Sequence, residues 1–156
     1  ALTHIGPTAL ILSRQGLPTL TETNVSFEDG LSKGAYIVKK EKIKPDYTLF
    51  ATGSELTLAL EVAKELEKAH QKDVRVVSFP CFEIFEKQSK EYKDKIIKGD
   101  LGTRVAIEAG SEMGWYKYIG LNGIAITVNR FGMSAPANKI KEEFGFSVNA
   151  IIKKLV

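Results

Sequence analysis

Apolar, β-branched runs alternate along this chain with segments whose apolar residues recur every three or four positions, which restricts the fold to strands interleaved with helices. Strand-like runs fall at residues 8–12, 35–39, 47–52, 74–79, 104–108 and 124–128. Ser54 stands as the N-cap of a helix whose inner face is Leu56, Ala59, Leu60, Ala63 and Leu66, with Glu61, Lys64, Glu65 and Lys68 outside. Ser89 caps a second helix, with Tyr92 and Ile96 on one face and Gly99 at its end. A short helix covers 115–119, Pro136 opens a further one that Gly145 closes, and Ser147 caps the last, with the stripe Val148, Ile151, Ile152 and Leu155. The Lys-rich connection between 35–39 and 47–52 contains Pro45 and is too short for a crossover helix, so those two runs are expected to be antiparallel neighbours with the first at an edge. The expected fold class is α/β, a three-layer α/β/α sandwich around a five-stranded mixed sheet with one antiparallel edge strand.

Size and charge narrow the function. A chain of 156 residues is one domain on length and large enough to bury a core without disulfides or metals. Twenty-two basic and nineteen acidic residues leave a net charge of +3, and the lysines are interspersed with glutamates, which gives nucleic-acid binding no support. The single cysteine, Cys81, cannot form an internal disulfide and is expected to be a quiet, partly buried thiol, an economy of cysteine that points to the reducing cytoplasm. No apolar stretch approaches the roughly 20 residues of a membrane span, and the first residues lack the charged-then-apolar pattern expected of a secretory signal. The chain starts at Ala1 and is expected to be a piece of a longer protein.

Self-sufficient chemistry is hard to find. There is no Gly-x-Gly-x-x-Gly after a strand, no phosphate loop and no His-Glu-x-x-His; with only His4 and His70 present, no metal site is expected. Gly53-Ser54 either forms a helix-capping turn or holds an anion on free backbone amides. Glu108, ending a strand, is either half of a carboxylate pair with Glu112 or a turn residue. Trp115, Tyr116, Tyr118 and Phe131 read as core packing or as a contact with another domain. Arg14 closes the 8–12 run, the end of a strand where open α/β sheets meet ligands; it is either a surface ion pair or a planar fork of donors suited to a phosphate.

The segment from Gly6 through Ser13-Arg14-Gln15 to Leu17-Pro18 resembles the junction between the middle and C-terminal domains of transketolases. In the same order the chain is similar to that family at Ala51-Thr52-Gly53-Ser54-Glu55, Ser78-Phe79-Pro80-Cys81, Phe85-Glu86-Lys87-Gln88, Glu108-Ala109-Gly110, Trp115-Tyr116-Lys117-Tyr118, Phe131-Gly132-Met133-Ser134-Ala135-Pro136-Ala137 and Phe144-Gly145-Phe146. The resemblance implies residues 1–15 as the end of a middle, pyrimidine-binding domain and its junction, 16–34 as a linker and 35–156 as the transketolase C-terminal domain. It further implies that the full-length enzyme transfers a two-carbon ketol unit between sugar phosphates in the pentose phosphate pathway, using thiamine diphosphate and Mg2+ (or Ca2+). In that enzyme Arg14 would hold the substrate phosphate. The cofactor and metal would be held by N-terminal and middle domains absent from this sequence, in a cytoplasmic homodimer, leaving the fragment inactive alone with no catalytic, cofactor or metal residue of its own. Two other readings stay open: a free-standing α/β binding or assembly module using the Gly53-Ser54 turn, and the equivalent domain of a pyruvate dehydrogenase beta subunit.

Overall fold

A computed structural model describes residues 4–97 and 102–156. The strands are β1 (Tyr36–Lys39), β2 (Tyr47–Ala51), β3 (Val74–Ser78), β4 (Thr103–Ile107) and β5 (Ile124–Ile126). They form one sheet in the order β1-β3-β2-β4-β5, in which β1 runs antiparallel to β3 and every other pair is parallel. The helices are α1 (Glu55–His70), α2 (Phe82–Glu86), α3 (Lys90–Ile96), α4 (Tyr116–Ile119), α5 (Ala137–Glu143) and α6 (Val148–Leu155).

Successive strand residues point to opposite faces, and that period of two divides the core in half. Leu49 and Ala51, Val74 and Val76, Val105 and Ile107, and Ile126 face α1 and α6, meeting Leu56, Ala59, Ala63, Leu66, Phe146 and Ile151. Phe50, Val77 and Ala106 face the other way, onto Phe79, Phe85, Ile96, Trp115, Tyr118 and Ile119 from α2, α3, α4 and their connections. Every residue of β2 and β3 is buried, as strands covered by helices on both faces must be. The three layers and the mixed sheet with an antiparallel edge strand match the sequence-based expectation.

Three local expectations are corrected. First, β1 lies at the edge, but its neighbour is β3 rather than β2. A seven-residue connection excludes a crossover helix yet has ample reach to step across one strand at about 4.8 Å per spacing. Asp73, just ahead of β3, clamps it: its carboxylate accepts from the backbone amides of Lys42 (2.9 Å) and Ile43 (2.7 Å), and its own amide donates to the Asp46 carboxylate (2.8 Å). Second, residues 8–12 form no strand. A strand needs a ladder partner, this sheet supplies none to them, and the side chains of Leu10, Ile11 and Leu12 stand exposed, Ile11 by 94%. Third, Ser54 does not cap α1 with its side chain: its backbone is already helical, and its hydroxyl donates to the Glu55 carboxylate at 2.7 Å.

The other caps are made as expected. Ser89 Oγ accepts from the amide of Tyr92 (3.2 Å) and Ser147 Oγ from that of Ala150 (3.3 Å). Gly145 leaves α5 at φ 76°, while Gly99, the expected end of α3, lies outside the described residues. The aromatic residues divide as well: Trp115 and Tyr118 are buried in the second core, whereas Tyr116 and Phe131 stand on the surface.

On β3, beside the edge strand, Arg75 is buried and donates to both carboxylate oxygens of Glu41, one through Nε at 2.6 Å, and to the Lys95 carbonyl at 2.9 Å. The hydrogen bond from Arg75 holds the Glu41 carboxyl below its usual range. Removing one partner of such a pair strands the other as a buried charge. Glu41→Ala is therefore expected to cost about 3 kcal/mol, read from the midpoint of urea denaturation. A cost under about 1 kcal/mol would mean that water reaches Arg75 and that the pair is a surface one.

Candidate functional site

The strand order reverses between β2 and β4: the chain leaves β2 through α1 on one face of the sheet and leaves β4 through α4 on the other. Diverging connections open a crevice outside the carboxyl ends of such strands. A cavity of about 350 Å³ lies there. Ser54 and Glu55 follow β2, Ala109 follows β4, Val128 follows β5, and Ile140, Lys141, Phe144 and Phe146 close it from α5 and beyond. Gln15 and the Gly132-Met133 pair also line it.

Residues 13–15 are thereby brought to the crevice. A Cβ added to Gly53 would lie 3.6 Å from Ser13 Oγ, and Gln15 lines the cavity, so the chain passes over the first turn of α1. Arg14 stands between these two contacts with its side chain exposed. The sequence pattern set this arginine at the end of a strand in the 8–12 run; it arrives instead near the end of β2, carried by a segment that forms no strand.

The Gly53-Ser54 turn has little to offer an anion. Gly53, at φ 54°, turns the chain so that the amides of Glu55 and Leu56 donate to the carbonyls of Thr52 (3.2 Å) and Gly53 (3.4 Å). Two donors that a cradle would need are thus already used.

Glu108 and Glu112 do not pair. Glu112 accepts from the hydroxyl of Tyr116 at 3.2 Å, and its amide donates to Asn129 Oδ1, also at 3.2 Å. The carboxyl of Glu108 instead feels Glu55, across the switch point. Partial burial, with the charge of Glu55 added to it, pushes the Glu108 carboxyl up to about 7. No sequence spacing announces this relation, because Glu108 follows β4 while Glu55 opens α1 after β2, and the two meet only through the parallel register of Ala51 with Ile107.

A group whose folded pKa is raised favours folding while it is protonated. Stability is therefore lost as pH rises from the unfolded value of 4.5 toward 7 and is level above that. Glu108→Gln is expected to match the native chain below pH 4.5 and to exceed it by about 1–2 kcal/mol above pH 7, after allowance for the exposed part of the carboxyl. Urea midpoints across that range check this. A variant less stable than the native chain at pH 8 contradicts it.

Elsewhere the chemistry is structural. Cys81 is half-buried, and its thiol donates to Glu83 at 3.4 Å. Among the described residues, no three His, Cys, Asp or Glu side chains converge to hold a metal ion, and no helix is long and apolar enough to cross a membrane. Glu86 ties α2 to α4 by accepting from Tyr118 Oη and Lys117 Nζ, both at 2.9 Å.

Comparison with known proteins covers nearly the whole chain. Residues 34–147 match the family model described as the transketolase-like TK C-terminal domain. The chain is similar to the transketolase of Staphylococcus epidermidis, 47% identical over 149 residues, which are 96% of this chain and 22% of that protein. Among solved structures it is similar to transketolase from Campylobacter jejuni, with a TM-score of 0.78 and 37% identity over 91% of this chain and 21% of that one. It is also similar to Pichia stipitis transketolase in complex with sedoheptulose-7-phosphate, with a TM-score of 0.80 and 34% identity over 91% of this chain and 20% of that one. The chain thus spans about a fifth of the length of the relatives it matches.

Proposed function

The chain belongs to the transketolase-like C-terminal domain family, and from that premise we propose that it serves as the C-terminal part of a transketolase that moves a two-carbon ketol unit from a ketose phosphate to an aldose phosphate. In this reading residues 1–15 end the middle domain and form the junction, 16–34 are the linker and 35–156 the C-terminal domain. Arg14 holds the phosphate of the sugar substrate. The observation that carries the reading is the passage of residues 13–15 over the switch-point crevice, which sets a guanidinium at the side of the sheet where α/β proteins meet their ligands. The sugar phosphate bound by the Pichia stipitis relative supports the substrate class.

An exposed guanidinium offers a phosphate two parallel charge-assisted hydrogen bonds, so its role is to fix one end of the substrate. The reacting end then has to be met by groups that this chain lacks. The remainder of the domain acts as scaffold, holding residues 13–15 against α1.

Thiamine diphosphate, with Mg2+ or Ca2+, supplies the electron sink in such a transfer. The residues present do not fit that group: the turn before α1 has spent its amides, and no convergent carboxylates stand ready for a divalent ion among the described residues. We therefore assign the cofactor to the N-terminal and middle domains of the longer protein, and assign the whole enzyme to a homodimer of the cytoplasmic pentose phosphate pathway. Calorimetric titration of the 156-residue chain with thiamine diphosphate and magnesium is expected to give no saturable heat. A micromolar 1:1 isotherm would overturn this division of labour.

A further inference from the structure

We infer that the turn at Asn122-Gly123, between α4 and β5, is a site of self-modification, at which the asparagine side chain closes onto the backbone, loses ammonia and ends as an aspartyl or isoaspartyl residue. The inference is independent of the ketol-transfer reading. The chain has five asparagines and every one is exposed, so access does not tell them apart. The residue that follows each does. Asn24, Asn129, Asn138 and Asn149 precede Val25, Arg130, Lys139 and Ala150, whose β-carbons crowd the backbone nitrogen; Asn122 precedes a glycine, which leaves that nitrogen open to close approach.

The fold keeps the glycine in place. A Cβ at position 123 would lie 2.6 Å from both the Cβ and the carbonyl oxygen of Ile119, which is buried in the second core. Asn122 itself sits outside, beside Leu121, which is 93% exposed. The Gly123 amide donates to the Gly120 carbonyl at 3.2 Å, the long end of the range for such a bond, and local opening of an exposed turn releases it at small cost.

The chemistry balances with water alone. As the Gly123 nitrogen attacks Cγ of Asn122, the N–Cγ bond forms and the Cγ–Nδ2 bond breaks. Nδ2 leaves as ammonia with the amide proton, and a cyclic imide remains. Water then opens the ring: breaking the N–Cγ bond gives aspartate, and breaking the backbone C–N bond gives isoaspartate, in which the chain runs through Cβ and Cγ. Either product adds a negative charge. The isoaspartyl form also adds a methylene to the backbone just ahead of β5, which lies at the edge of the sheet and pairs with β4 only from Ile124 to Ile126.

The test is incubation of the intact, folded protein at neutral to mildly alkaline pH, with samples digested by trypsin over time. Cleavage after Lys117 and Arg130 releases one peptide, residues 118–130, that holds both Asn122 and Asn129, so its fragmentation in a mass spectrometer compares the two under identical conditions. Asn122 is expected to convert roughly tenfold or more faster than Asn129, and faster as pH rises, because the attacking nitrogen must shed its proton. Aspartyl and isoaspartyl peptides of equal mass should both form, and the Asn122→Gln variant should release a peptide whose mass stays constant. Equal rates at the two asparagines overturn the proposal. So does aspartate without isoaspartate, which would mean direct hydrolysis of the side chain with no cyclic imide, and so does a mass gain that persists in Asn122→Gln.

Discussion

Phe79→Ala should destabilise the 156-residue chain by about 3–5 kcal/mol, the range for a large aromatic removed from a packed core. Phe79 follows β3, is 2% exposed, and is held in place as its amide donates to the Ala51 carbonyl at 2.9 Å. Its ring is the hub of the second core. Ring centres lie 4.6 Å away for Tyr118, 4.8 Å for Phe85, 4.9 Å for Phe82, 5.7 Å for Trp115 and 6.3 Å for Phe50, most of them edge-on. Each such pair adds about 0.5–1.5 kcal/mol beyond the area it buries, and rings from five separate positions cannot all collapse into one hole. Phe79→Leu should recover much of the loss, because it refills most of the volume without restoring the ring contacts. Urea denaturation checks both variants. A fall of less than about 1 kcal/mol for Phe79→Ala would show that the aromatic cluster is loosely packed and that α2 and α4 are held by something else.

Arg14→Ala in the intact enzyme should lower kcat/KM for phosphorylated substrates by roughly ten- to a hundredfold, the loss of a charge-assisted bond worth about 1.5–3 kcal/mol. Folding and thiamine diphosphate binding should be nearly untouched, because the side chain is exposed and packs into neither core. For non-phosphorylated acceptors the loss should shrink toward nothing, since they carry no group for the guanidinium to hold. Lysine at position 14 should restore only part of the activity, as a point charge lacks the two-pronged fit. Equal losses on phosphorylated and plain sugars would make Arg14 structural and remove the one site residue assigned in this chain.

The sequence was most readable where burial repeats. The face Leu56, Ala59, Leu60, Ala63 and Leu66 is buried as its spacing requires, and the runs that became β2 to β5 are bounded within a residue or two of their observed ends. It was less readable where partners are remote. That β1 pairs with β3 depends on the clamp at Asp73, which no local pattern reveals. The five residues of α2 are too few to show a helical period, and only Phe82 and Phe85, three apart, hinted at it. Residues 8–12 carry the composition of a strand, but composition cannot supply a neighbour.

The candidate site divides in the same way. Arg14 was visible as a residue type at a strand-like end and through its resemblance to a known junction, and its approach to the crevice comes through Ser13 and Gln15. The relation of Glu108 to Glu55 was hidden, since it arises from the register of two parallel strands whose paired ends, Ala51 and Ile107, are far apart in sequence. The helix-cap signal at Ser54 was present in the sequence and went unused, because Glu55 takes the hydroxyl and the Gly53 turn satisfies the amides.

The most direct measurement is ketol transfer by the intact gene product, purified and supplied with thiamine diphosphate, magnesium, a ketose phosphate donor and an aldose phosphate acceptor. The polypeptide is expected to be about four to five times the length of this chain, given that relatives match over 22% of theirs, and to give a product lengthened by two carbons only when the cofactor is present. A gene product no longer than these 156 residues, or an intact protein that folds and binds the cofactor yet transfers no two-carbon unit, would contradict it.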